Sequence, residues 1–476
     1  MSSTDLGLCY LPAFDVLERF RARTLSPVEY LAELIKRAEE TEPAINAFAF
    51  TWFDQAMDQA KVAEVKYARK DTDIRELEGL PIAVKDAADI EGQPLTKGSL
   101  YLKDNISTET HYSIQRLLDA GGIVHARTTT PEFGCSGVCD SRIHGTTHTP
   151  WKLGYTSGGS SGGSGATLAV GSSPLATGSD IGGSIRIPAA CCGVVGYKPP
   201  YGRNPSGTAG GFDMYHALGP MARTVRDAAM MQNILCGPHP SDNASIRPKY
   251  VLPESYQGIQ GLRIAWSMDL NFFEVDETVR ANTLNTLEVL KDLGAELVEV
   301  DFGWSAEADR AFQNYLDHLF NGNIKAIVDT DPDLATSWAT YCANAAGKTT
   351  AMDFSGAYEM QARMSRQVGE IMDDCYAFIC PTCNFHEIPA DQDPNDLVVV
   401  NGRPVDPLYG WCMAHPFNML GRLPVLSVPS GIGSNSLPTG IQIVARHLDD
   451  QRVFRIGLAL ETAQPWLDCP DRRPPI

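Results

Sequence analysis

Residues 155–198 read YTSGGSSGGSGATLAVGSSPLATGSDIGGSIRIPAACCGVVGYK, and their interpretation decides the fold. Two Gly/Ser clusters, 158–164 and 182–184, flank a short apolar segment. No charged side chain occurs between Leu153 and Ser179; Asp180 then appears, with Ser184 and Arg186 close behind. Glycine at this density costs backbone entropy, so a folded chain keeps it where the main chain takes unusual angles or approaches a ligand closely. A flexible Gly/Ser linker is one reading. The other is a rigid turn that aims backbone N–H groups and serine hydroxyls at a reacting carbonyl. Leu168, Val170, Leu175, Ile181, Ile185 and Ile187 favour the second, because a solvated linker has no use for them.

Outward from this stretch, GLPIAVKDAADI begins at Gly79. Leu80–Val84 reads as a short apolar strand ended by Lys85 and Asp86. A lysine closing a buried strand is either a surface residue at the strand end or a buried amine with a task, since lysine is rarely buried unpaired. Residues 111–120 predict a helix stopped by Gly121, followed by a strand over 123–127 and a loop, TTTPEFGCSG, from Thr128. Helix–strand alternation of this kind belongs to α/β proteins.

Elsewhere the pattern is regular. Ser26 as N-cap, Pro27 at the first helical position and Glu29 completing a capping box start a helix over 26–40. A second helix is expected over 52–67. Residues 262–266, a helix from Asp276 to about Leu293, and residues 296–300 form a βαβ unit. Residues from about 304 to 364 read as helical and aromatic-bearing. The end of the chain gives two strands, LPVLSVPSG and LPTGIQIVAR, and a helix over 451–463.

The 476 residues are 43% hydrophobic and 20% charged, enough apolar material for a large core. A formal net charge of −19 argues against nucleic acid, whose phosphates demand basic patches, and against an anionic membrane surface. No basic segment followed by an apolar one opens the chain, so no secretory leader is expected, and no apolar run is long enough to span a bilayer. Twelve cysteines without regular spacing read as reduced thiols, which points to the cytoplasm. HGTTH at 144–148 has metal-like spacing, but its Gly and Thr residues oppose a zinc helix and no third ligand is evident. CPTC at 380–383 lacks a second pair and reads as a packed loop at a strand end. No metal or cofactor is expected.

Amide hydrolysis needs a nucleophile, a base, donors for the oxyanion and an acid for the leaving amine. Around Gly182 and Gly183 successive N–H groups can converge as an anion-binding nest, and Ser184 can supply the attacking hydroxyl. No histidine lies between His148 and His216. Ser160 could relay a proton to Lys85 if burial depressed the lysine pKa. A competing motif is G-G-S-S-G at 158–162, which fits a G-x-S-x-G nucleophile elbow on Ser160. Residues 152–157 are not the apolar strand that such an elbow follows.

The stretch 158–199, with GLPIAVKD around Lys85, ARTTTPEFG from Ala126, TPW at Thr149 and LPTGIQIVAR, resembles the amidase signature family over about residues 26–461. The resemblance implies one α/β/α domain spanning 1–476 with a mixed central sheet: N-terminal helices over 26–70, a catalytic core over 79–217, and a variable substrate region over 300–396. It implies a Ser–cisSer–Lys triad in which Lys85 is the base, Ser160 the bridging serine and Ser184, 24 residues on, the nucleophile. The N–H groups of Ile181, Gly182, Gly183 and Ser184 resemble the oxyanion hole. Ser161, Asp180 and Arg186 match supporting positions, and Gly134, Cys135 and Ser136 fall on a substrate loop. The expected substrate is a small aryl or alkyl amide, with carbamates and esters open to the same chemistry, no cofactor, no nucleic-acid or membrane partner, and a homodimer as candidate assembly. Phe312, Tyr315, Phe320, Trp338, Tyr341 and Trp411 are candidates for pocket aromatics. Two alternatives stand beside this: the glutaminase subunit of a tRNA-dependent amidotransferase, and a silent binding protein on the same fold.

Overall fold

The computed structural model describes residues 7–69 and 72–476. At its centre lies one eleven-stranded mixed sheet. From edge to edge the strands are Phe48–Thr51, Ile123–Thr128, Pro81–Lys85, Leu175–Asp180, Ala217–Ala222, Val195–Lys198, Val425–Ile432, Pro438–Val444, Ala377–Pro381, Arg263–Trp266 and Glu296–Glu299. Helices flank the sheet, as the resemblance implies. Pro81–Lys85 runs parallel to both of its neighbours, Ile123–Thr128 and Leu175–Asp180. The carboxyl ends of these three strands therefore emerge together, which brings Lys85 beside Ser179 and Asp180. Crevices at the carboxyl ends of parallel strands are where open α/β sheets bind ligands.

Most elements fall where their sequence patterns place them. The first capped helix spans Pro27–Ile45: Ser26 Oγ accepts from the Val28 N–H and the Ser26 N–H donates to Glu29, each at 3.0 Å. The second spans Phe53–Arg69. The βαβ unit is Arg263–Trp266, Glu277–Asp292 and Glu296–Glu299, its strands paired in parallel. The helical region beyond it comprises Glu307–Val328, Ser337–Ala345 and Ala351–Asp374. No helix among the described residues is long and apolar enough to cross a membrane.

The central stretch holds more regular structure than its composition suggests. Gly162–Val170 is an α-helix, Leu175–Asp180 a strand and Arg186–Cys192 a second helix. The two helices pack on each other, and the second packs against the sheet strands Val195–Lys198, Val425–Ile432 and Pro438–Val444. After the loop that follows Lys198, a strand over Ala217–Ala222 and a helix over Val225–Leu235, neither expected from the sequence, complete the core.

Candidate active site

Lys85 is the last residue of a strand buried along its whole length, and it is itself 2% exposed. Its backbone N–H donates to Thr177 Oγ1 at 3.1 Å, fixing the strand end against its neighbour. Its Nζ lies 2.7 Å from Ser160 Oγ and 3.0 Å from Ser179 Oγ. Burial pushes the lysine down to about 7; Asp180 and Asp86 nearby pull the other way without reversing it. A buried amine without a bonded carboxylate is neutral over much of the physiological range.

The peptide bond between Gly159 and Ser160 is cis. Gly158, at φ +79°, turns the chain into it. An ideal Cβ on Gly159 would stand 2.3 Å from the Ser136 carbonyl oxygen, so the backbone comes here as close as glycine alone permits. The Ser161 N–H donates to the Ser184 carbonyl at 3.2 Å, which ties the first Gly/Ser cluster to the second. Ser160 and Ser184 border one cavity, although their hydroxyls are not hydrogen-bonded to each other.

The second cluster is organised by a carboxylate. Asp180 Oδ1 accepts from the Gly183 N–H at 2.8 Å and Oδ2 from the Ile185 N–H at 3.2 Å. Arg186 grips the same carboxylate with Nε and Nη2, both at 3.0 Å, and Asn418 Nδ2 donates to it at 2.8 Å. Arg186 also donates to the Gln442 side chain and the Ala414 carbonyl. Burial would raise the Asp180 pKa, but the Arg186 charge and these bonds outweigh it and hold the carboxyl well below the usual carboxylate range. The turn is thereby locked between strand and helix. One of the four expected oxyanion donors, Gly183, is thus already engaged with Asp180. The N–H groups of Ile181, Gly182 and Ser184 make no hydrogen bond among the described residues.

Two cavities meet at Ser184. The larger, about 390 Å³, is bordered by Lys85, Ser160, Ser179, Lys97, Asp213 and His216. The smaller, about 30 Å³, lies beyond Gly182. Gly134, Ile181, Ser184 and Phe320 border both, and Cys135 and Ser136 border the smaller. Ser179, Thr177, Asn418 and Gln442 were not singled out from the sequence. Ser179 was the findable one, as the last residue of the charge-free run. Of the six expected pocket aromatics, Phe320 is the one that borders these cavities. Tyr315 stacks on Tyr215 and donates its hydroxyl to Asp213 at 2.8 Å, while Phe312, Trp338 and Trp411 are buried in apolar clusters.

The remaining motifs take structural places. His144 Nε2 lies 3.0 Å from Thr96 Oγ1, and His148 accepts from the Gly154 N–H, so the two histidines serve different contacts. Cys380 and Cys383 are buried free thiols. Ser160 does stand at the mouth of a helix, as a nucleophile elbow would, but no strand leads into it.

A family model described as Amidase matches residues 29–454. An acylamidase of Rhodococcus erythropolis is 34% identical over 478 residues, covering 98% of each chain. The glutamyl-tRNA(Gln) amidotransferase A-type subunit of Caldanaerobacter subterraneus subsp. tengcongensis is 29% identical over 485 residues, covering 96% of this chain and 97% of that one. Among solved structures, a bacterial aryl acylamidase of the amidase signature family superposes with a TM-score of 0.89 at 28% identity, over 96% of this chain and 97% of that one. The signature stretch, the fold and the near-complete match agree, and the chain belongs to the amidase signature family of hydrolases that act on amide C–N bonds.

Proposed function

We propose that this protein is a self-sufficient acylamidase that cleaves N-acylated aryl or alkyl amines through Ser184, Ser160 and Lys85. The observation that carries the reading is the buried Lys85 amine, held 2.7 Å from Ser160 Oγ and brought down to about 7. In its neutral form Lys85 donates one N–H to Ser179 and turns its lone pair to the Ser160 hydroxyl. Ser160 passes its proton to Lys85 and takes the proton of Ser184 as Ser184 attacks the carbonyl carbon. The developing oxyanion is received by the free N–H groups of the 181–184 turn, where each donor is worth about 3–4 kcal/mol in such sites. The proton then returns through Ser160 to the leaving nitrogen, the C–N bond breaks, and the acyl group stays on Ser184. Water attacks the ester by the same relay, releasing the acid and restoring Ser184. Proton transfer of this kind contributes about 10²–10⁴-fold. Carbamates and esters present the same carbonyl and enter the same route.

The acylamidase relative and the aryl acylamidase structure support the amide class. Similarity to the amidotransferase subunits supports a second reading, a glutaminase that needs a partner chain. The test is release of nitroaniline from acyl para-nitroanilides, and from the matching carbamate, by the purified chain and by Ser184→Ala. Activity in the parent and none in the variant is the expected result. Silence of the parent on every amide, with glutamine hydrolysis only in the presence of a partner, would replace this reading by the second.

A further inference from the structure

We infer that the two cavities at Ser184 sort the halves of the substrate by size, so that the enzyme takes short acyl groups, acetyl or propionyl, on bulky amines. The inference rests on the proton relay above. The leaving nitrogen must come within hydrogen-bond reach of the group that protonates it. That group is Ser160, which with Lys85 borders the larger cavity and not the smaller. The amine half therefore occupies the larger cavity. The oxyanion points to the N–H groups of the turn, and the third substituent of the carbonyl carbon is left facing the smaller cavity, beyond Gly182 and Gly134.

The two spaces differ more than tenfold in volume. About 390 Å³ lies in the range of sites that hold an aromatic ligand. About 30 Å³ admits one or two water-sized groups, the room of a methyl or ethyl substituent. The smaller cavity ends on Leu316 and Phe320 from the helix Glu307–Val328, on Cys342 from Ser337–Ala345, and on Ile187, Leu408 and Tyr409. Leu316 and Cys342 are buried, and the ring of Tyr409 meets Phe312 edge-on with centroids 5.1 Å apart. A wall packed on its far side does not recede at low cost when methylenes are pushed against it.

The same wall carries no charged side chain. Glutamine as acyl donor would have to bring an ammonium and a carboxylate into it, and neither would find an ionic partner. The acyl cavity therefore also excludes free glutamine.

Two substrate series test the assignment on the intact chain. In the first, the amine is para-nitroaniline and the acyl group runs from acetyl through propionyl, butyryl and hexanoyl. kcat/KM is expected to fall by about tenfold or more from propionyl to butyryl and further at hexanoyl, the scale of overpacking a filled site. In the second, the acyl group is acetyl and the amine runs from methylamine to aniline and naphthylamine, with no comparable loss at the bulky end. Leu316→Ala and the milder Cys342→Ala are expected to raise the hexanoyl-to-acetyl ratio, by about tenfold or more for the larger truncation; a melting curve confirms that each variant folds. A parent that prefers hexanoyl, or that loses activity with amine size instead of acyl size, overturns the inference and leaves the amidase reading standing. Unchanged ratios in two folded variants overturn the placement of the acyl wall. Silence on both series overturns the inference together with the relay on which it rests.

Discussion

Lys85 shows how one residue's environment sets its chemistry. Desolvation lowers its pKa to about 7, so raising the pH through 7 removes its proton, which in the proposed relay creates the base. kcat/KM should therefore rise with pH across that range and level off above it, and the limb should be absent from residual activity in Lys85→Ala. A pH-independent rate from 6 to 8 in the parent would remove Lys85 from the relay. Gly134 makes a second residue-scale case. It has φ +72°, and an ideal Cβ there would stand 3.2 Å from Ser160 Oγ. Gly134→Ala is expected to lower kcat by about tenfold, the order of effect when a reacting group is slightly displaced. It should also cost about 1 kcal/mol or more of stability from the left-handed backbone; kinetics and denaturant titration on the same sample read both. Asp180 is different again, because its role is to neutralise Arg186 where neither reaches water. Asp180→Asn keeps the shape and leaves a buried unpaired cation, a change that costs about 3–5 kcal/mol in comparable sites. The denaturant midpoint should fall accordingly, and a variant as stable as the parent would mean that Arg186 finds its charge balance elsewhere.

Among the elements, capped helices and short apolar strands were legible, and an apolar helix rich in glycine and serine was not. The helix Pro27–Ile45 announces itself through Ser26, Pro27 and Glu29, and Ser26→Ala should cost it about 1 kcal/mol in a thermal or denaturant melt. No loss would mean that Pro27 alone sets the start. The helix Gly162–Val170 has all nine of its residues buried. With no exposed side there is no amphipathic period to detect, and its glycines and serines imitate a linker. The strand Ala217–Ala222 was hidden by Pro220, a residue that argues against a central strand. Pro220 pairs with Thr177 on one side and, on the other, lies beyond the pairing with Val195–Lys198, where no ladder partner calls for its missing N–H. The site was legible to the extent that its chemistry is local. Lys85, Ser160, Ser184 and the Asp180–Arg186 pair lie in stretches with their own signal. Asn418 and Gln442 reach the same carboxylate and guanidinium from more than 200 positions away in the chain, through contacts that no local pattern announces.

At the scale of the whole molecule, the eleven-stranded sheet gathers segments from both ends of the chain around one crevice. All twelve cysteines are free, eleven of them buried. Covalent cross-links therefore contribute nothing to holding the sheet closed, and a reducing agent should change neither the melting temperature nor the rate. A drop in either on reduction would reveal a disulfide. The net charge of −19 acts at the same scale, adding a long-range repulsion between copies of the chain that salt screens. The clamp on Asp180 has a consequence for time as well as for energy. A turn already fastened to a strand, to a helix and to the distant Asn418 side chain resists reshaping when a ligand arrives. Capture of an electrophile that traps Ser184, such as a fluorophosphonate, should accordingly follow a single exponential with no lag, the signature of a lock cut before the key.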